Sequence, residues 1–576
     1  MTQHSESTRT VLGGQLTRRG FILGAAGAAA MATTVGIGGA AGPAGIARAS
    51  EAADATFATE TPYAAVQQAD LVVVGAGGAG MSAAAAAVEA GAQSVIILET
   101  TGRTGGELNV TSGSLSAART IVQMADGLDD NIDLYVEDIL RNSADMVDDP
   151  DPALIRMYAE SAGITFQWLW DHGMSDYEFT TDSEGHRAVL ASEHELYSVA
   201  RTYKVKPQDR ENYSCAAHEL MDTYVKGEPK ISILFETTAV ELVPNEKGQV
   251  VGVVATDNAD GTATLYLSAH GIVMATGGFG ANLKLLKDYS RHGADYVTGC
   301  LPACNGRGLQ MMQKMGAYLH DMKAISASPM GLQVEGAPGI GRIGGTDMCL
   351  AGGISVNKNG ERFMNECDPS SAKRVELLEL QPESVQYDIF TDKIRDDLAA
   401  LGADGMYRLC FGGEDAYGYW LLKSADTLEG LAKEIGVPAD ALQTTVDSYN
   451  AAVDAGTTDE FGRPNDENFD LFRLCNNRIE GGKFYAVPMK PIVNTTPGGI
   501  RTDLSMRVLD ETDTPIPGLY AAGEVMFGCS LGASGSGVMS ALTYGRTAGG
   551  HATGDKFSDT YTIKPASEVL ADSYFD

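Results

Sequence analysis

The sequence has little that would direct it to nucleic acid, a membrane or a metal ion. It carries 42 lysines and arginines against 76 aspartates and glutamates, a formal net charge of −34. This acidity argues against nucleic-acid binding, which depends on basic patches. After the first 50 residues, no run reaches the roughly 18 apolar residues that span a bilayer. The eight cysteines are scattered, without a C-x-x-C pair or a haem-attachment C-x-x-C-H. We therefore predict no metal site and a small-molecule substrate.

A glycine-rich turn after a short apolar strand is the strongest positive signal. The strand 71–74 runs into GAGGAG at residues 75–80, an alanine-rich helix follows, and a second apolar strand ends at Glu99. Gly75 permits the tight turn, Gly77 lets the backbone approach a pyrophosphate, and Gly80 lets helix and strand pack closely. The phosphates would lie at the helix N-terminus, and Glu99 is near the roughly 20-residue spacing of a ribose-binding acid. The pattern predicts a dinucleotide site.

The first 49 residues have the features of a targeting segment. A twin-arginine motif includes Arg18 and Arg19, a weakly apolar Ala/Gly run follows, and Ala47-Arg48-Ala49 is an A-x-A cleavage site. We expect a twin-arginine signal peptide at 1–49 and a mature chain that begins at Ser50. The protein would then be exported, to the periplasm or the cell surface, with its cofactor inserted beforehand.

Two further glycine-rich strands, at residues 271–280 and 518–524, resemble strands that pass close to a bound cofactor. Three such segments spread along the chain imply one nucleotide domain built from separated parts. We predict an α/β fold in which a Rossmann-like domain is assembled from residues 50–290 and 481–576. An α+β capping domain would be inserted at residues 291–480.

The sequence between the first two glycine-rich strands predicts helices followed by a β-meander. Helices are expected at 132–143 and 152–172. The expected meander strands are 232–237, 250–257 and 262–268.

Five motifs occur in order across residues 68–555. They are the Gly75 turn with Glu99 and Gly105-Gly106, then ATGG at 275–278, GISVNKNGERFMNE at 353–366, AAGE at 521–524 and TYGR at 543–546. Together they resemble the flavoprotein subunits of fumarate reductase and succinate dehydrogenase. The branch lies near exported flavoprotein ene-reductases and 3-ketosteroid dehydrogenases.

The resemblance implies that the cofactor is FAD. The histidine that carries FAD covalently in succinate dehydrogenases falls at Glu107, and no histidine occurs between residues 100 and 118, so non-covalent FAD is expected. The residues that the resemblance assigns to FAD are Gly75, Gly77, Gly78, Ala79, Gly80, Glu99, Gly105, Gly106, Ser112, Gly113, Ala239, Val240, Ala275, Thr276, Gly277, Gly278, Gly523, Glu524, Ser536, Gly537 and Val538.

The cations that clamp and protonate fumarate in this family are replaced here. The corresponding positions are Ser328, a point near Thr346 and Cys349, Ser370, Asn494, and Ser530 or Gly532. Because buried cations without partners are costly, their loss favours an uncharged or aromatic substrate. The protein is therefore not expected to reduce fumarate.

Tyrosines replace these cations in the ketosteroid dehydrogenases, so we consider tyrosines here. Tyr203, with Arg201, lies in a segment that approaches the flavin in family members, and Tyr419 lies in the inserted region near Tyr407, Tyr417 and Trp420. Each tyrosine has a packing role as its alternative. Arg201, Tyr203, Ser370, Tyr419 and Asn494 are the catalytic candidates, and Cys529 is a further candidate for substrate contact.

Three functions are consistent with these features. The first is an exported FAD-dependent reductase of an electron-poor C=C bond, with hydride from flavin N5. The second is a 3-ketosteroid-type dehydrogenase, the reverse chemistry. The third is a non-catalytic FAD electron carrier. Because NADH is cytoplasmic, a cytochrome or quinol-linked protein is the expected electron donor.

Overall fold

The computed structural model describes residues 59–190, 197–334, 336, 339–343, 352–400, 421–465, 477–532 and 535–554. The predicted signal peptide, Thr346, Cys349, and the candidates Tyr407, Tyr417, Tyr419 and Trp420 lie outside the described residues. Within the described part, every helix is too short or too polar to cross a membrane.

Helices and strands alternate through most of the described chain. The α-helices are α1 (Gly78–Glu89), α2 (Ile121–Ala125), α3 (Ile132–Ser143), α4 (Pro152–Asp171), α5 (Ala216–Gly227), α6 (Leu283–Tyr289), α7 (Arg307–Lys314), α8 (Ser371–Glu379), α9 (Asp392–Ala400), α10 (Leu428–Ile435), α11 (Ala439–Ala455) and α12 (Ser536–Thr553). The strands are β1 (Ala65–Ala69), β2 (Leu71–Val74), β3 (Val95–Leu98), β4 (Leu115–Ser116), β5 (Glu178–Phe179), β6 (Ala188–Val189), β7 (Thr202–Tyr203), β8 (Val205–Lys206), β9 (Ile231–Leu234), β10 (Thr237–Pro244), β11 (Val250–Asp257), β12 (Ala263–Ser268), β13 (Ile272–Met274), β14 (Val297–Thr298), β15 (Leu319–His320), β16 (Ser326–Gln333), β17 (Gly341–Ile343), β18 (Ile354–Val356), β19 (Gln386–Thr391), β20 (Lys423–Ala425), β21 (Phe484–Thr495), β22 (Gly499–Ile500), β23 (Arg507–Leu509) and β24 (Pro515–Ala521).

The three glycine-rich strands are neighbours in one sheet. Its strand order is β23-β24-β13-β2-β3-β9, and all adjacent pairs are parallel except β23 with β24. Val72 pairs with Ile272 and Ile96, and Ile272 pairs with Leu519. The core strands are continuous apolar runs because both faces of a parallel sheet are covered. The predicted assembly of one α/β domain from separated segments is confirmed.

The β-meander differs from the sequence prediction at its first strand. The segment predicted as 232–237 divides, because Ile231–Leu234 joins the parallel sheet beside β3. The first meander strand is instead Thr237–Pro244, which pairs antiparallel with β11. Glu236, with a φ of 49°, separates the two strands, and the apolar pattern alone did not locate this break.

The inserted region has a sheet and a hydrophobic cluster of its own. The order is β17-β16-β21-β19-β18, with β14 and β20 also pairing with β21. A separate buried cluster includes Leu332, Ile389, Leu431 and Met489. Strand β21 begins after the predicted domain boundary at residue 480, yet it is the central strand of this sheet. Its last residues reach the cavity described below.

Candidate functional site

The turn after β2 has the geometry predicted for close approach of a ligand. Gly75 has a φ of 105°, and a Cβ there would lie 2.3 Å from the Ala275 carbonyl oxygen. A Cβ on Gly80 would lie 1.8 Å from the Gly75 carbonyl oxygen. Helix α1 begins directly after this turn, with Gly77 as its N-cap. Its first N–H groups and the helix dipole therefore form an anion site at the edge of the sheet.

Glu99, at the end of β3, is held beside this turn. Its Oε2 accepts a hydrogen bond from Ala76 N at 2.8 Å. Its Oε1 accepts hydrogen bonds from Thr101 N at 2.8 Å and Thr101 Oγ1 at 2.7 Å. A carboxylate accepts about four hydrogen bonds, so Glu99 keeps capacity for a ligand hydroxyl.

A cavity of about 830 Å³ extends from this turn toward the end of β21. The predicted cofactor residues that line it are Gly75, Gly77, Gly78, Ala79, Glu99, Gly105, Gly106, Ser112, Ala239, Ala275, Thr276, Gly277, Gly523, Glu524, Gly537 and Val538. Those that do not line it are Gly80, Gly113, Val240, Gly278 and Ser536. Gly80 and Gly278 pack against residues that line the cavity. A Cβ on Gly80 would meet the Gly75 carbonyl oxygen, and a Cβ on Gly278 would lie 2.5 Å from Glu524 Oε1.

The cavity suits a large, partly apolar ligand with a phosphate group. Thr276 Oγ1 is buried and has no hydrogen-bond partner among the described residues, although buried polar groups are nearly always paired. Together with the α1 N-terminus and Glu99, it supplies the polar contacts that FAD needs. The residues present therefore fit FAD.

Glu524 is an unusual acid in the cavity wall. Its Oε1 accepts hydrogen bonds from Thr496 N at 2.8 Å and Thr496 Oγ1 at 2.9 Å. Burial, and to a smaller extent the nearby charge of Glu107, raise the pKa of Glu524 to about 7. In the absence of a ligand, Glu524 changes its charge near neutral pH.

Glu107 fastens two walls of the cavity together. It lies in the short 3₁₀-helix Gly106–Asn109, and its Oε1 accepts hydrogen bonds from Leu301 N at 2.7 Å and Cys304 Sγ at 3.0 Å. Burial raises the pKa of the Glu107 carboxyl. We call residues 299–305, most of which line the cavity and two of which bond to Glu107, the strap. The sequence analysis considered Glu107 only as the position of a missing histidine. It did not predict the contact between Glu107 and the strap, because no local sequence pattern indicates a contact between residues so far apart in the chain.

Three positions predicted to have lost a cation are brought together. Asn494 Nδ2, at the end of β21, donates a hydrogen bond to Ser328 Oγ on β16 at 2.8 Å. Ser371 Oγ, at the start of α8, donates to the Ala327 carbonyl oxygen at 3.0 Å, which places the N-cap Ser370 beside the same strand. Asn494 lines the cavity, whereas Ser370 does not. The Ser370 side chain caps α8 by accepting a hydrogen bond from Lys373 N.

Arg201 and Tyr203 do not line the cavity, which corrects the expectation that they reach the cofactor. The Arg201 guanidinium is fully buried and pairs with Asp130 at 2.6 Å and with Asp138. Tyr203 is also fully buried, and its hydroxyl bonds to Thr120 Oγ1 at 2.6 Å. Burial raises the pKa of Tyr203. Tyr203 lies in β7, which pairs with β4 and β6, and Arg201 directly precedes this strand. The partners of both side chains are structural.

Charge is unevenly distributed along the cavity. The described lining residues include two cations, Arg103 and Arg307. Arg103 lies four residues after Glu99, and Arg307 precedes Gly308, where a Cβ would lie 1.9 Å from Thr276 Oγ1. Both therefore belong to the end that contains the Gly75 turn. Sequence reasoning missed these two arginines, which no motif identifies.

The opposite end of the cavity has no cation among its described lining residues, and the Glu524 carboxyl lies beside it. Asn494, Thr495, Cys529 and Ser530 line it, and a hydrogen bond from Gly528 N to the Pro497 carbonyl oxygen at 3.0 Å joins their two segments. None of the described lining residues is a histidine, a lysine or a tyrosine. Burial raises the pKa of the Cys529 thiol to about 12, so it is not a thiolate at neutral pH.

Comparison with known proteins gives a consistent picture. The urocanate reductase of Eggerthella lenta is 29% identical, over 86% of this chain and 76% of its own length. The vinyl phenol reductase of Lactiplantibacillus plantarum is 27% identical, over 79% of this chain and 89% of its own. The open conformation of a flavocytochrome c3 fumarate reductase is similar with a TM-score of 0.65 at 26% identity, covering 88% of this chain and 79% of that chain.

The model of the family described as "FAD binding domain" matches residues 70–539, a span that includes the Gly75 turn, the inserted region and most of the cavity wall. The chain belongs to this FAD-binding family, and it is an FAD-dependent oxidoreductase.

Proposed function

We propose that the protein is an exported FAD-dependent reductase of an electron-poor C=C bond in an uncharged or aromatic substrate, and that fumarate is not its substrate. Bound FAD supplies a hydride from N5 once it has been reduced. Two of the similar proteins are reductases named for urocanate and vinyl phenol, which supports reduction of a C=C bond.

The single observation that carries the proposal is the distribution of charge in the cavity. Arg103 and Arg307 lie at the end of the Gly75 turn, where a pyrophosphate needs positive charge, and the far end presents Asn494, Thr495 and Ser530. A dicarboxylate bound there would lose its hydration with no described cation to compensate it, and it would lie near the Glu524 carboxyl. A neutral substrate has no such cost.

The residues that line the cavity would hold FAD without a covalent bond. The N–H groups at the start of α1 would bind the pyrophosphate, and Glu99 would bind the adenosine ribose. Glu524, which has a Thr496-bonded Oε1, would face the ribityl chain. The strap, held by Glu107, would lie along one side of the cofactor.

The substrate proton comes from a tyrosine or from water. Because none of the described lining residues is a tyrosine, Tyr419 of the inserted region is the tyrosine we propose as donor. Arg374, four residues after Ser370, is buried in α8 outside the cavity lining. Burial raises the pKa of Asp388 to about 7, and the Arg374 charge partly opposes this rise. This contact favours a structural role for Arg374.

We also propose export by the twin-arginine route and reduction by an external cytochrome or quinol-linked protein. The motif at Arg18 and Arg19 supports export. The similarity to a flavocytochrome c3 fumarate reductase supports a haem-linked donor, since this sequence contains no C-x-x-C-H of its own. Replacing both arginines with lysine would leave the protein in the cytoplasmic fraction if the proposal holds.

The direct test is reoxidation of the reduced holoenzyme. The FAD is reduced anaerobically with a viologen dye, and its reoxidation is followed with fumarate, urocanate, neutral cinnamate esters and 3-ketosteroids. Reoxidation by the esters but not by fumarate is the expected result. Rapid reoxidation by fumarate would overturn the proposal and would give Arg374 a catalytic role to test. Reoxidation by none of them would favour an electron carrier.

A further inference from the structure

A buried polar network lies directly behind one wall of the cavity. His218, Asp222 and Lys226 are four residues apart on α5, so they share one face of the helix. His218 Nε2 lies 3.2 Å from Thr104 Oγ1, which lies 2.5 Å from Asp222 Oδ1. Asp222 Oδ2 accepts hydrogen bonds from Lys226 Nζ at 2.7 Å and from the Tyr213 hydroxyl at 2.6 Å. None of these five residues lines the cavity.

The direction of each hydrogen bond in this network follows from the charge of Asp222. Burial opposes ionisation of Asp222, but hydrogen bonds from Lys226, Thr104 and Tyr213 lower its pKa. A carboxylate only accepts hydrogen bonds, so the single hydroxyl hydrogen of Thr104 is donated to Asp222. Thr104 Oγ1 must then accept a hydrogen bond from His218 Nε2–H. Burial lowers the pKa of His218, although the Asp222 charge opposes this, so the ring is neutral and protonated on Nε2.

The imidazole ring is packed against the wall of the cavity. A Cβ on Gly105 would lie 2.5 Å from His218 Cε1 and 2.6 Å from His218 Nε2, so the ring edge touches the Gly105 backbone. Gly105 and Gly106 line the cavity. Gly105 N donates a hydrogen bond to the Ala76 carbonyl oxygen at 2.8 Å, and Gly105 forms a β-bridge with Gly77, the N-cap of α1. The ring therefore supports the part of the wall that borders the anion site.

Packing alone does not account for a histidine at this position. His218 Nδ1 is buried, and no described residue bonds to it. An unpaired buried nitrogen destabilises the folded protein, and an apolar ring of similar size would avoid it. The group that only a histidine supplies here is the Nε2–H that Thr104 accepts.

We propose that His218 is a positioning residue for FAD. Asp222 orients the Thr104 hydroxyl, this hydroxyl orients the imidazole, and the imidazole holds Gly105 and Gly106 where they meet the cofactor beside the start of α1. The wall is thus shaped before FAD binds, which strengthens binding and slows FAD release. This inference goes beyond the proposed function, because it concerns how FAD is retained and not which alkene is reduced.

The first test is the rate of FAD dissociation in Thr104 variants, followed by flavin fluorescence after dilution of the holoprotein. Thr104→Val keeps the side-chain shape and removes the hydroxyl from both hydrogen bonds, so FAD should dissociate about tenfold faster. Thr104→Ser keeps the hydroxyl and should restore a rate close to that of the parent protein. Thr547→Val is the matched control, since the buried Thr547 hydroxyl bonds to the Thr543 carbonyl oxygen outside the cavity lining. Its FAD dissociation rate should not change.

The second test changes the histidine. His218→Phe keeps a ring against Gly105 and removes the N–H donor, so FAD should again dissociate about tenfold faster. His218→Gln supplies an amide N–H near the position of Nε2 and should retain most of the parent behaviour. His320→Phe is the matched control, because His320 is buried and bonded to the Asp149 carbonyl oxygen at 2.8 Å but does not line the FAD cavity.

The outcomes separate positioning from a general loss of stability. Parent-like FAD release from Thr104→Val and His218→Phe would overturn the inference. Fast release from Thr104→Ser and His218→Gln, or from the two controls, would overturn it as well. If Thr104→Val or His218→Phe retains too little FAD to measure, its apoprotein must unfold at the temperature of its control for the inference to stand, and earlier unfolding would reject it. Holoprotein that follows the expected pattern and reduces no alkene would reject only the proposed function.

Discussion

The two ends of the cavity are built in different ways. At the nucleotide end the contacts come from backbone, with Gly75 and Gly80 packed against carbonyl oxygens and helix α1 beginning at the turn. At the other end they come from side chains on a strand and a loop, Asn494 and Ser530 among them. A backbone site depends on residues that lack a side chain and tolerates little change. A side-chain site is altered by single substitutions, and this is where chemistry diverges within a shared fold.

The largest expected effect is at Gly80, where the backbone construction is most crowded. Gly80→Ala places a Cβ 1.8 Å from the Gly75 carbonyl oxygen, so helix α1 must move away from the turn. Overpacking of this kind costs about 1–3 kcal/mol. We expect FAD content, measured as flavin absorbance per polypeptide, to fall about tenfold. Gly227→Ala, where an added Cβ meets no atom within 4 Å, should keep full FAD content. Equal FAD content in Gly80→Ala and Gly227→Ala would show that close backbone packing at the turn does not control FAD binding.

A smaller effect is expected at Glu107, whose side chain bonds to the strap in the cavity wall. Glu107→Ala removes the acceptor of two hydrogen bonds to the strap. Because such bonds contribute about 1 kcal/mol each, FAD should dissociate about tenfold faster, as followed by flavin fluorescence after dilution.

The matched control for Glu107 is Glu241→Ala. Like Glu107, Glu241 accepts two hydrogen bonds, in this case from the backbone N–H groups of Glu60 and Thr61. Unlike Glu107, it does not line the cavity. Its loss should leave the FAD dissociation rate unchanged. If the two variants release FAD at the same rate, the strap does not retain the cofactor.

Two acids allow the cavity and the inserted region to be compared through the pH dependence of stability. Glu524 lines the cavity, and Asp388 lies in β19 of the inserted region. The pKa of Glu524 is raised to about 7, and so is that of Asp388. Between about pH 4.5 and 7 each of these two carboxyls binds more protons in the folded protein than in the unfolded chain, so the stability that each contributes falls as pH rises through this window. Each group contributes a slope of at most about 1.4 kcal/mol per pH unit.

Thermal or denaturant unfolding of the apoprotein at several pH values measures these slopes. Glu524→Gln and Asp388→Asn should each remove part of the decline. FAD should change the Glu524 part only, because Asp388 is buried in β19 and bonds to Ser355 and Gln386. If FAD changes the pH dependence of stability equally in Glu524→Gln and in Asp388→Asn, the two acids do not titrate independently.

The smallest effect is expected at Tyr203. Tyr203→Phe removes a hydroxyl that bonds to Thr120 and to the Ala117 carbonyl oxygen. We expect unfolding free energy to fall by about 1 kcal/mol and kcat to change by less than about twofold, measured with whichever alkene the holoenzyme reduces. A large loss of kcat at unchanged stability would place Tyr203 at the reaction after all.

Local sequence signals explain why some predictions held and others did not. The strand–turn–helix at residues 71–89 was predictable because apolar strands and glycine turns are read from consecutive residues. The break at Glu236 between β9 and β10 was not, since both halves have similar apolar patterns and different partners. Tyr203 does not line the cavity, and the sequence could not show this because the burial of both residues of β7 depends on neighbours that are distant in the chain.

The sequence by itself determined the parallel sheet and the nucleotide turn, because each depends on residue type at neighbouring positions. The loss of the cations expected in the family stays a prediction from the resemblance. The tertiary structure decided that Asn494 meets Ser328, that Glu107 holds the strap, and that Arg103 and Arg307 share one end of the cavity. Those contacts join residues that are far apart in the chain. The Asn494–Ser328 contact exists only once β16 and β21 have paired, and the others only once distant segments have been brought to the wall of one cavity.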